Sequence, residues 1–145
     1  MFTGGVLHII DTVLTLPLDP GFSAIDSNLT ALAGALTDTN LLSTVDSLRD
    51  ITIFAPSNAA FQNIGSATGS LSTAQLSSIL EYHVINNTVG YSTLLTEGLA
   101  NQSLPTISGA SVNVLVEDGK VFVNSAQVII TDIIVSNGVM HVIDK

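Results

Sequence analysis

The side chains of this sequence that could support catalysis are a serine, a histidine and scattered carboxylates. A serine hydrolase needs a histidine base hydrogen-bonded to a hydroxyl nucleophile, with an acid that orients the imidazole. Ser57, His83 and one of the twelve acidic residues could supply these groups, but the G-x-S-x-G motif of many serine hydrolases is absent. Because Ser57 directly follows Pro56, it also fits the role of a helix N-cap. We therefore predict no catalytic residue and keep a serine-dependent hydrolase as the least favoured functional hypothesis.

The three histidines could also bind a metal, but their spacing does not favour it. His8, His83 and His141 are far apart in the sequence, without a short ligand spacing such as H-E-x-x-H. The chain has no cysteine, and its acidic residues do not form an EF-hand calcium loop. We expect His83 to be largely buried and bonded to backbone, and His141 to pack within an apolar strand. The sequence therefore predicts no metal site and no cofactor.

The charge balance excludes several classes of partner. Twelve acidic residues and three basic ones, Arg49, Lys120 and Lys145, give a formal net charge of −9. This charge repels a phosphate backbone or an anionic lipid surface, so we predict neither nucleic-acid binding nor direct insertion into a membrane. No apolar run approaches the roughly 18 residues that span a bilayer. With 46% apolar and only 10% charged residues, the chain is typical of an ordered globular domain.

The elements that must position these side chains are mostly helical in the first two thirds of the chain. After a break formed by the prolines and glycine of 17–21, Asn28 offers an N-cap for a helix near 28–37. Apolar spacing and capping residues predict three more helices and a strand. The helices are at about 41–48, after Ser57, and from a Ser72–Gln75 capping box to about 82, and the strand is at 50–55, ending at Pro56.

From residue 111 onward the pattern changes to a period of two. Val112, Val114 and Val116 alternate with polar residues, as expected for a half-buried strand, and Asp118-Gly119 is a hairpin turn signal. Further strands are predicted at 121–123, 128–135 and 139–143. A helical region followed by an antiparallel meander predicts the α+β fold class.

A short segment near the start of the chain recurs near its end. The sequence GVLHIID of Gly5–Asp11 and the sequence GVMHVID of Gly138–Asp144 are about one domain length apart, which indicates a tandem array of domains. We interpret residues 1–20 as the tail of a preceding domain with its linker. Residues 21–145 are then the next domain, which we expect to be clipped at its C-terminal strand.

Three segments of this domain together resemble the fasciclin (FAS1) domain family. Residues 52–61 (TIFAPSNAAF) resemble its first conserved box, residues 81–83 (EYH) its Tyr-His element, and residues 137–144 (NGVMHVID) its second box. By the same resemblance, the first copy of the duplicated segment is the second box of a preceding fasciclin repeat. The structural motif residues are Phe54, Pro56, Ser57, Asn58, Phe61, Tyr82, His83, Asn137, Gly138, His141 and Asp144.

The resemblance implies a wedge of two packed β-sheets flanked by several short helices. It also implies a non-enzymatic module of a tandem-domain protein, located at a cell surface, in extracellular matrix or in a cell wall. Some members of the family present an Asp-Ile pair just before the second box for partner recognition, and Asp132 and Ile133 occupy that position here. The expected partner is an extracellular protein or polysaccharide, or a like domain on another molecule.

Three sequons mark candidate glycosylation sites at Asn28, Asn86 and Asn101. Each lies near a predicted loop or helix end, where a glycan would reach solvent. They favour a secreted glycoprotein, although glycosylation of Asn28 would compete with its use as an N-cap.

The other polar and aromatic motif residues are interpreted as structural. Asn58 is expected to cap backbone groups within its own Pro-Ser-Asn turn, and Phe61 and Tyr82 to be core aromatics. The high apolar content also leaves a second functional hypothesis, a carrier or sensor that holds a small molecule or lipid in an apolar pocket between helices and sheet. The adhesion module remains the main hypothesis.

Overall fold

The computed structural model describes residues 4, 7–13, 16–63 and 70–145. Within them, short helices precede and interrupt a sheet whose strands mostly lie in the second half of the chain. The helices are α1 (Pro20–Asp26), α2 (Thr30–Asp38), α3 (Leu42–Ser47), α4 (Asn58–Asn63), α5 (Thr73–Glu81) and α6 (Ser92–Glu97). The strands are β1 (Ile51–Pro56), β2 (Val84–Ile85), β3 (Gln102–Pro105), β4 (Ser111–Glu117), β5 (Lys120–Val123), β6 (Ala126–Val135) and β7 (Gly138–Ile143).

The seven strands follow the order β2-β1-β7-β6-β5-β4-β3, with only β1 and β7 parallel. β6 changes partner along its length: Ala126 and Gln127 pair with β5, whereas residues from Val128 onward pair with β7. An isolated bridge also joins Ile85 of β2 to Thr106, the residue that follows β3. The sheet therefore folds over at β6, and its two halves form the wedge expected of the α+β fold.

Two apolar clusters fill the molecule, one on each side of β1 and β7. The first packs the helices against the sheet, and the second lies between the two halves of the folded sheet. In β1, Ile53 contributes to the first cluster and Phe54 to the second; in β7, Met140 and Ile143 divide in the same way. These two strands are thus buried on both faces, which explains their almost continuous apolar sequences.

Asparagine and aspartate make most of the tight turns. Each non-glycine residue with positive φ in the described segments is one of these two types, which tolerate the left-handed region better than other residues. The β4–β5 hairpin turn has Asp118 and Gly119 at φ 51° and 74°, the geometry that the Asp-Gly signal predicts.

Local capping signals were predicted correctly. Ser72 and Gln75 form both bonds of the capping box at the start of α5. The hydroxyl of Ser57 accepts a hydrogen bond of 3.2 Å from the Ala60 N–H at the start of α4.

Three predictions about the backbone were wrong or incomplete. The proposed break at 17–21 contains the start of α1, because Pro20 is its first residue, where proline's fixed φ suits a helix and its missing N–H loses nothing. Asn28 does not cap α2; the N-cap residue is Leu29, and no side chain of its own caps the helix. The short elements β2, α6 and β3 were also missed, since runs of two to six residues carry little periodicity.

The cap of α2 comes from a distant residue instead. Asn58 Oδ1 accepts a hydrogen bond of 3.0 Å from the Ala31 N–H, and Asn58 Nδ2 donates one of 2.7 Å to the Asn28 carbonyl. The prediction that Asn58 caps its own turn was therefore wrong. Its amide joins the start of α4 to the start of α2.

Candidate functional site

Polar side chains from three central strands converge on the loop at 88–92, which precedes α6. The first is Thr52 of β1, which is buried. Its hydroxyl donates to the Thr88 carbonyl and accepts from the Gly90 N–H, both at 2.7 Å. Thr52 therefore ties both ends of a three-residue stretch of the loop to the middle of the sheet.

His141 of β7 is the second of these side chains and is fully buried, with 0% of its surface exposed. Its Nδ1 accepts a 3.2 Å hydrogen bond from the Asp132 N–H, and its Nε2 lies 2.7 Å from the Gly90 carbonyl oxygen. Because Nδ1 must accept and Nε2 must donate, the ring is the neutral Nε2–H tautomer. It also stacks on Phe54 at a centroid distance of 5.8 Å.

Asp132 of β6 completes the network. It has a left-handed backbone, with φ 59°, at an irregularity in the β6–β7 pairing. Its carboxylate accepts a 2.8 Å hydrogen bond from the Ser92 N–H and a second, short one from the Ser92 hydroxyl. Burial raises the pKa of Asp132, but the two bonds from Ser92 and the nearby His141 outweigh it, so the pKa lies below the ordinary value.

This arrangement holds a loop and offers no catalytic group. Both nitrogens of His141 are bonded to backbone groups, so the imidazole has no free lone pair with which to activate a hydroxyl. The Ser92 hydroxyl donates its hydrogen bond to the Asp132 carboxylate, and neither nitrogen of His141 is bonded to it. Within the described segments, no group of three or more His, Asp or Glu side chains could hold a metal ion.

An open groove of about 650 Å³ lies beside the network. The loop at 88–92 forms one wall through Val89 and Tyr91, and the α3–β1 connection and the β6–β7 turn form the others. Tyr91 and Ile134 expose 42% and 55% of their surfaces there. Arg49 also lines the groove, and no ion pair to it occurs within the described part of the chain.

Comparison with known proteins agrees with this architecture. The family model for the Fasciclin domain matches residues 27–145. This chain belongs to the fasciclin domain family. A solved FAS1 domain pair from the insect cell adhesion molecule fasciclin I superimposes with a TM-score of 0.66 and 25% identity, covering 83% of this chain and 45% of that one.

Curated relatives of this fasciclin domain include fungal and animal proteins. It is 40% identical over 139 residues to a fasciclin-like arabinogalactan protein of Arthroderma benhamiae, covering 96% of this chain and 32% of the relative. It is 32% identical over 146 residues to the transforming growth factor-beta-induced protein ig-h3 of Sus scrofa, covering 97% and 21%. The chain thus spans about a third or less of the length of these two relatives.

The three motif segments of this fasciclin domain adjoin one another at β1, which pairs with β7 and whose Phe54 N–H donates to the His83 carbonyl. Phe54 and Pro56 are buried in β1, and Phe61 packs half-buried against the first apolar cluster. His83 is half-buried, with Nδ1 2.7 Å from the Ile79 carbonyl oxygen. The Tyr82 hydroxyl donates to the Ser111 carbonyl at 2.9 Å and accepts from Asn124 at 3.0 Å.

The second box ties β7 to its surroundings. Asn137 Nδ2 donates to the Val45 and Leu48 carbonyls at the end of α3, at 2.8 and 2.9 Å. Asp144 Oδ1 accepts a 2.8 Å hydrogen bond from the Gln127 N–H of β6.

The candidate partner-binding pair lies at the edge of the network. The Asp132 carboxylate is bonded to Ser92, and Ile133 is half-buried against the first apolar cluster. Of the sequon asparagines, Asn28 and Asn101 are exposed at positive φ, and Asn86 is half-buried. Partner binding and glycosylation at these positions stay predictions.

Sequence reasoning missed Thr52, Gly90 and Ser92 as members of the network. Thr52 stands inside the first box, but its hydroxyl acts on a loop whose place is set by tertiary structure. A threonine in an otherwise apolar buried strand is the one signal that could have identified it.

We expect the stability of this domain to fall on acidification below about pH 6.5. Burial lowers the pKa of His141 and of His83, and in neither case do the hydrogen-bonded neighbours fully reverse it. The unfolded chain therefore binds protons that the folded one does not, so the stabilisation is complete above the ordinary histidine pKa and is lost as the pH falls. The slope is at most about 1.4 kcal/mol per pH unit for each histidine. Urea denaturation at about pH 7.5 and 5.5 measures this loss of stability, and equal denaturation midpoints at the two pH values would contradict the prediction.

Asn58→Ala is expected to destabilise the domain by about 1 to 3 kcal/mol. It removes both hydrogen bonds between α4 and the start of α2 and leaves the Ala31 N–H without its cap. Gln62→Ala, on the exposed surface of the same helix, is the matched control. If both variants have the same denaturation midpoint, the amide of Asn58 does not hold the two helices together.

Proposed function

We propose that this fasciclin domain is a non-enzymatic adhesion or matrix-binding module of an extracellular protein. The observation that carries the proposal is that the polar residues of its network and motifs are hydrogen-bonded to backbone within the domain. Thr52, Asn137 and His141 are examples, because each of these side chains bonds to at least one backbone carbonyl. Such side chains stabilise a scaffold, and the surface loops and the groove are then what a partner can contact. The match to the insect cell adhesion molecule over 83% of this chain supports the same proposal.

The partner is an extracellular protein or polysaccharide, and we assign its contact surface to the groove beside the loop at 88–92. This surface combines the exposed side chains of Tyr91 and Ile134 with the unpaired Arg49. The pair Asp132-Ile133 lies next to it along β6. A drop in adhesion in Asp132→Ala is informative only if stability is measured too, because the substitution also removes the bonds to Ser92.

The parent protein carries more than one such domain, by the same proposal. The copy of the second box forms β7 at 138–143, whereas the described apolar residues of the first copy, Leu7, Ile9 and Ile10, are exposed, with Ile9 at 96%. A strand with this sequence needs two neighbouring strands to cover it, as β1 and β6 cover β7. A preceding fasciclin domain would supply them.

Bead adhesion tests the proposed function directly. Beads that carry the domain at increasing density are settled on native extracellular material, with beads that carry the Tyr91→Ala/Ile134→Ser variant as the control. Because each contact is weak and several act together, we expect retention to rise more steeply than the density, and the variant to be retained less. Retention equal to that of bare beads at all densities would refute the adhesive role.

The two alternatives have less support. The apolar gap between the helices and the sheet, lined by Leu36, Ile53 and Met140 among others, has a volume of about 10 Å³, too small for a lipid chain. Ser57 acts as the N-cap of α4. Ester turnover by this domain that disappears in Ser57→Ala would support the hypothesis of a serine-dependent hydrolase.

A further inference from the structure

The loop at 88–92 is held from three strands at once, and one of its supports can titrate. Thr52 and His141 bind the backbone of Gly90, and Asp132 binds Ser92. We propose that these three side chains form a pH-sensitive latch, which holds the loop closed at neutral pH and releases it on mild acidification. We call Thr52, Asp132 and His141 the latch residues.

The latch depends on which nitrogen of His141 carries the proton. In the neutral ring, Nδ1 accepts from the Asp132 N–H at 3.2 Å while Nε2–H donates to Gly90. Protonation places a hydrogen on Nδ1, which then faces the backbone N–H of Asp132, so two donors oppose each other. Because 0% of the surface of His141 is exposed, bulk solvent does not reach Nδ1 to accept this new hydrogen.

The charged group that can relieve this conflict also holds the other end of the loop. The Asp132 carboxylate attracts an imidazolium at His141. The groups that face the ring from β1, Thr52 and Phe54, are uncharged, as is Gly90 in the loop. If the carboxylate turns to the imidazolium, it leaves the Ser92 N–H and hydroxyl, so protonation of one residue weakens the attachments at both Gly90 and Ser92.

Release of the loop changes the groove. Tyr91 lies between the two attachment points and Val89 directly precedes the first, and both side chains form one wall of the groove. An acidic environment would therefore alter the surface that we assign to the partner. This consequence rests on the proposed function, whereas the opening of the loop does not.

Amide hydrogen exchange measured by NMR on the free protein tests the latch without any partner. The reporters are the amides of Gly90 and Ser92, whose N–H groups are bonded to Thr52 and Asp132. After correction for the intrinsic pH dependence of exchange, we expect their opening to increase up to about tenfold per pH unit below about pH 6.5. The increase should begin at the ordinary histidine pKa and level off once the His141 ring of the folded domain is protonated, because burial lowers the pKa of that ring.

Two variants separate the latch from general loss of stability. In His141→Gln the side-chain amide can accept from Asp132 and donate to Gly90 but does not titrate, so we expect the extra opening to disappear. His83→Gln, which removes the half-buried histidine at the end of α5, should keep the extra opening. An opening that persists in His141→Gln or is lost in His83→Gln would overturn the proposal.

If His141→Gln does not fold, the unmodified protein still tests the latch. In the unmodified protein, protection of Gly90 and Ser92 that stays constant from neutral pH through the titration of the His141 ring also overturns the latch. Loss of protection at these two amides while those of the outer β4–β5 hairpin stay unchanged supports it. Because no partner is present, a failed latch is distinguishable from a failed adhesive function.

Discussion

Gly138→Ala is expected to prevent the domain from folding stably. A methyl group at this position would lie 1.9 Å from the carbonyl oxygen of Ile51, on the neighbouring parallel strand. The obstacle is backbone, which cannot move aside as a flexible side chain can. Separation of β1 from β7 would affect both apolar clusters, so we expect a loss of at least about 3 kcal/mol in the free energy of unfolding. Circular dichroism and urea denaturation measure the effect.

The same substitution at Gly34 is the matched control. Gly34 lies in the interior of α2, and a methyl group there would meet no atom within 4 Å. Since alanine has the higher helix propensity, we expect Gly34→Ala to stabilise the domain by about 0.5 to 1 kcal/mol. The change in the free energy of unfolding should therefore have opposite signs in the two variants. A Gly138→Ala protein with an unchanged midpoint would show that β1 and β7 are not packed as closely as described.

Asn137→Asp is expected to have the next largest effect, a loss of about 3 to 5 kcal/mol at neutral pH. The side-chain amide donates to two carbonyl oxygens, those of Val45 and Leu48, and its own Oδ1 is buried with no hydrogen-bond partner among the described residues. A carboxylate has no donor, so it would face the two carbonyl acceptors that the amide now satisfies. The contact between the end of α3 and the β6–β7 turn would be lost.

The pH dependence of this variant identifies the cause. Burial among acceptors should raise the pKa of the introduced carboxyl, and the protonated form can again donate one hydrogen bond. The defect should therefore be largest above that raised pKa and should shrink as the pH falls toward the ordinary carboxyl value. Asn113→Asp makes the same change on the exposed surface of β4 and should be close to neutral. Equal effects of the two substitutions would mean that charge alone is responsible.

These predictions share a physical basis with the proposed function. The polar motif residues join segments that are far apart in the chain: Asn58 joins α4 to α2, Tyr82 joins the end of α5 to β4, and Asn137 joins the β6–β7 turn to α3. Each leaves at least one backbone group without its hydrogen-bond partner when it is replaced, which lowers stability. Loss of binding in such variants would therefore report on the scaffold, whereas exposed groove residues such as Tyr91 report on the contact itself.

Signals that act within a few residues were sufficient to predict much of the fold. The Ser72 capping box, the Ser57 N-cap and the Asp118-Gly119 hairpin turn are interactions between residues near in sequence, and they form as predicted. The alternation in β4 likewise predicts which side chains are buried. By itself, the sequence determined the α+β class, the order of the longer elements and the fasciclin resemblance.

Tertiary structure alone decided how those elements are joined. The cap of α2 by Asn58, the bridge from β2 to Thr106 and the attachment of the loop at 88–92 to Thr52 and His141 all link distant segments. No local pattern specifies such contacts, because a hydrogen-bonding side chain is compatible with many partners until the apolar clusters have set the chain's path. The residues of the latch were therefore visible in the sequence only as separate polar positions, and their common role required the folded sheet.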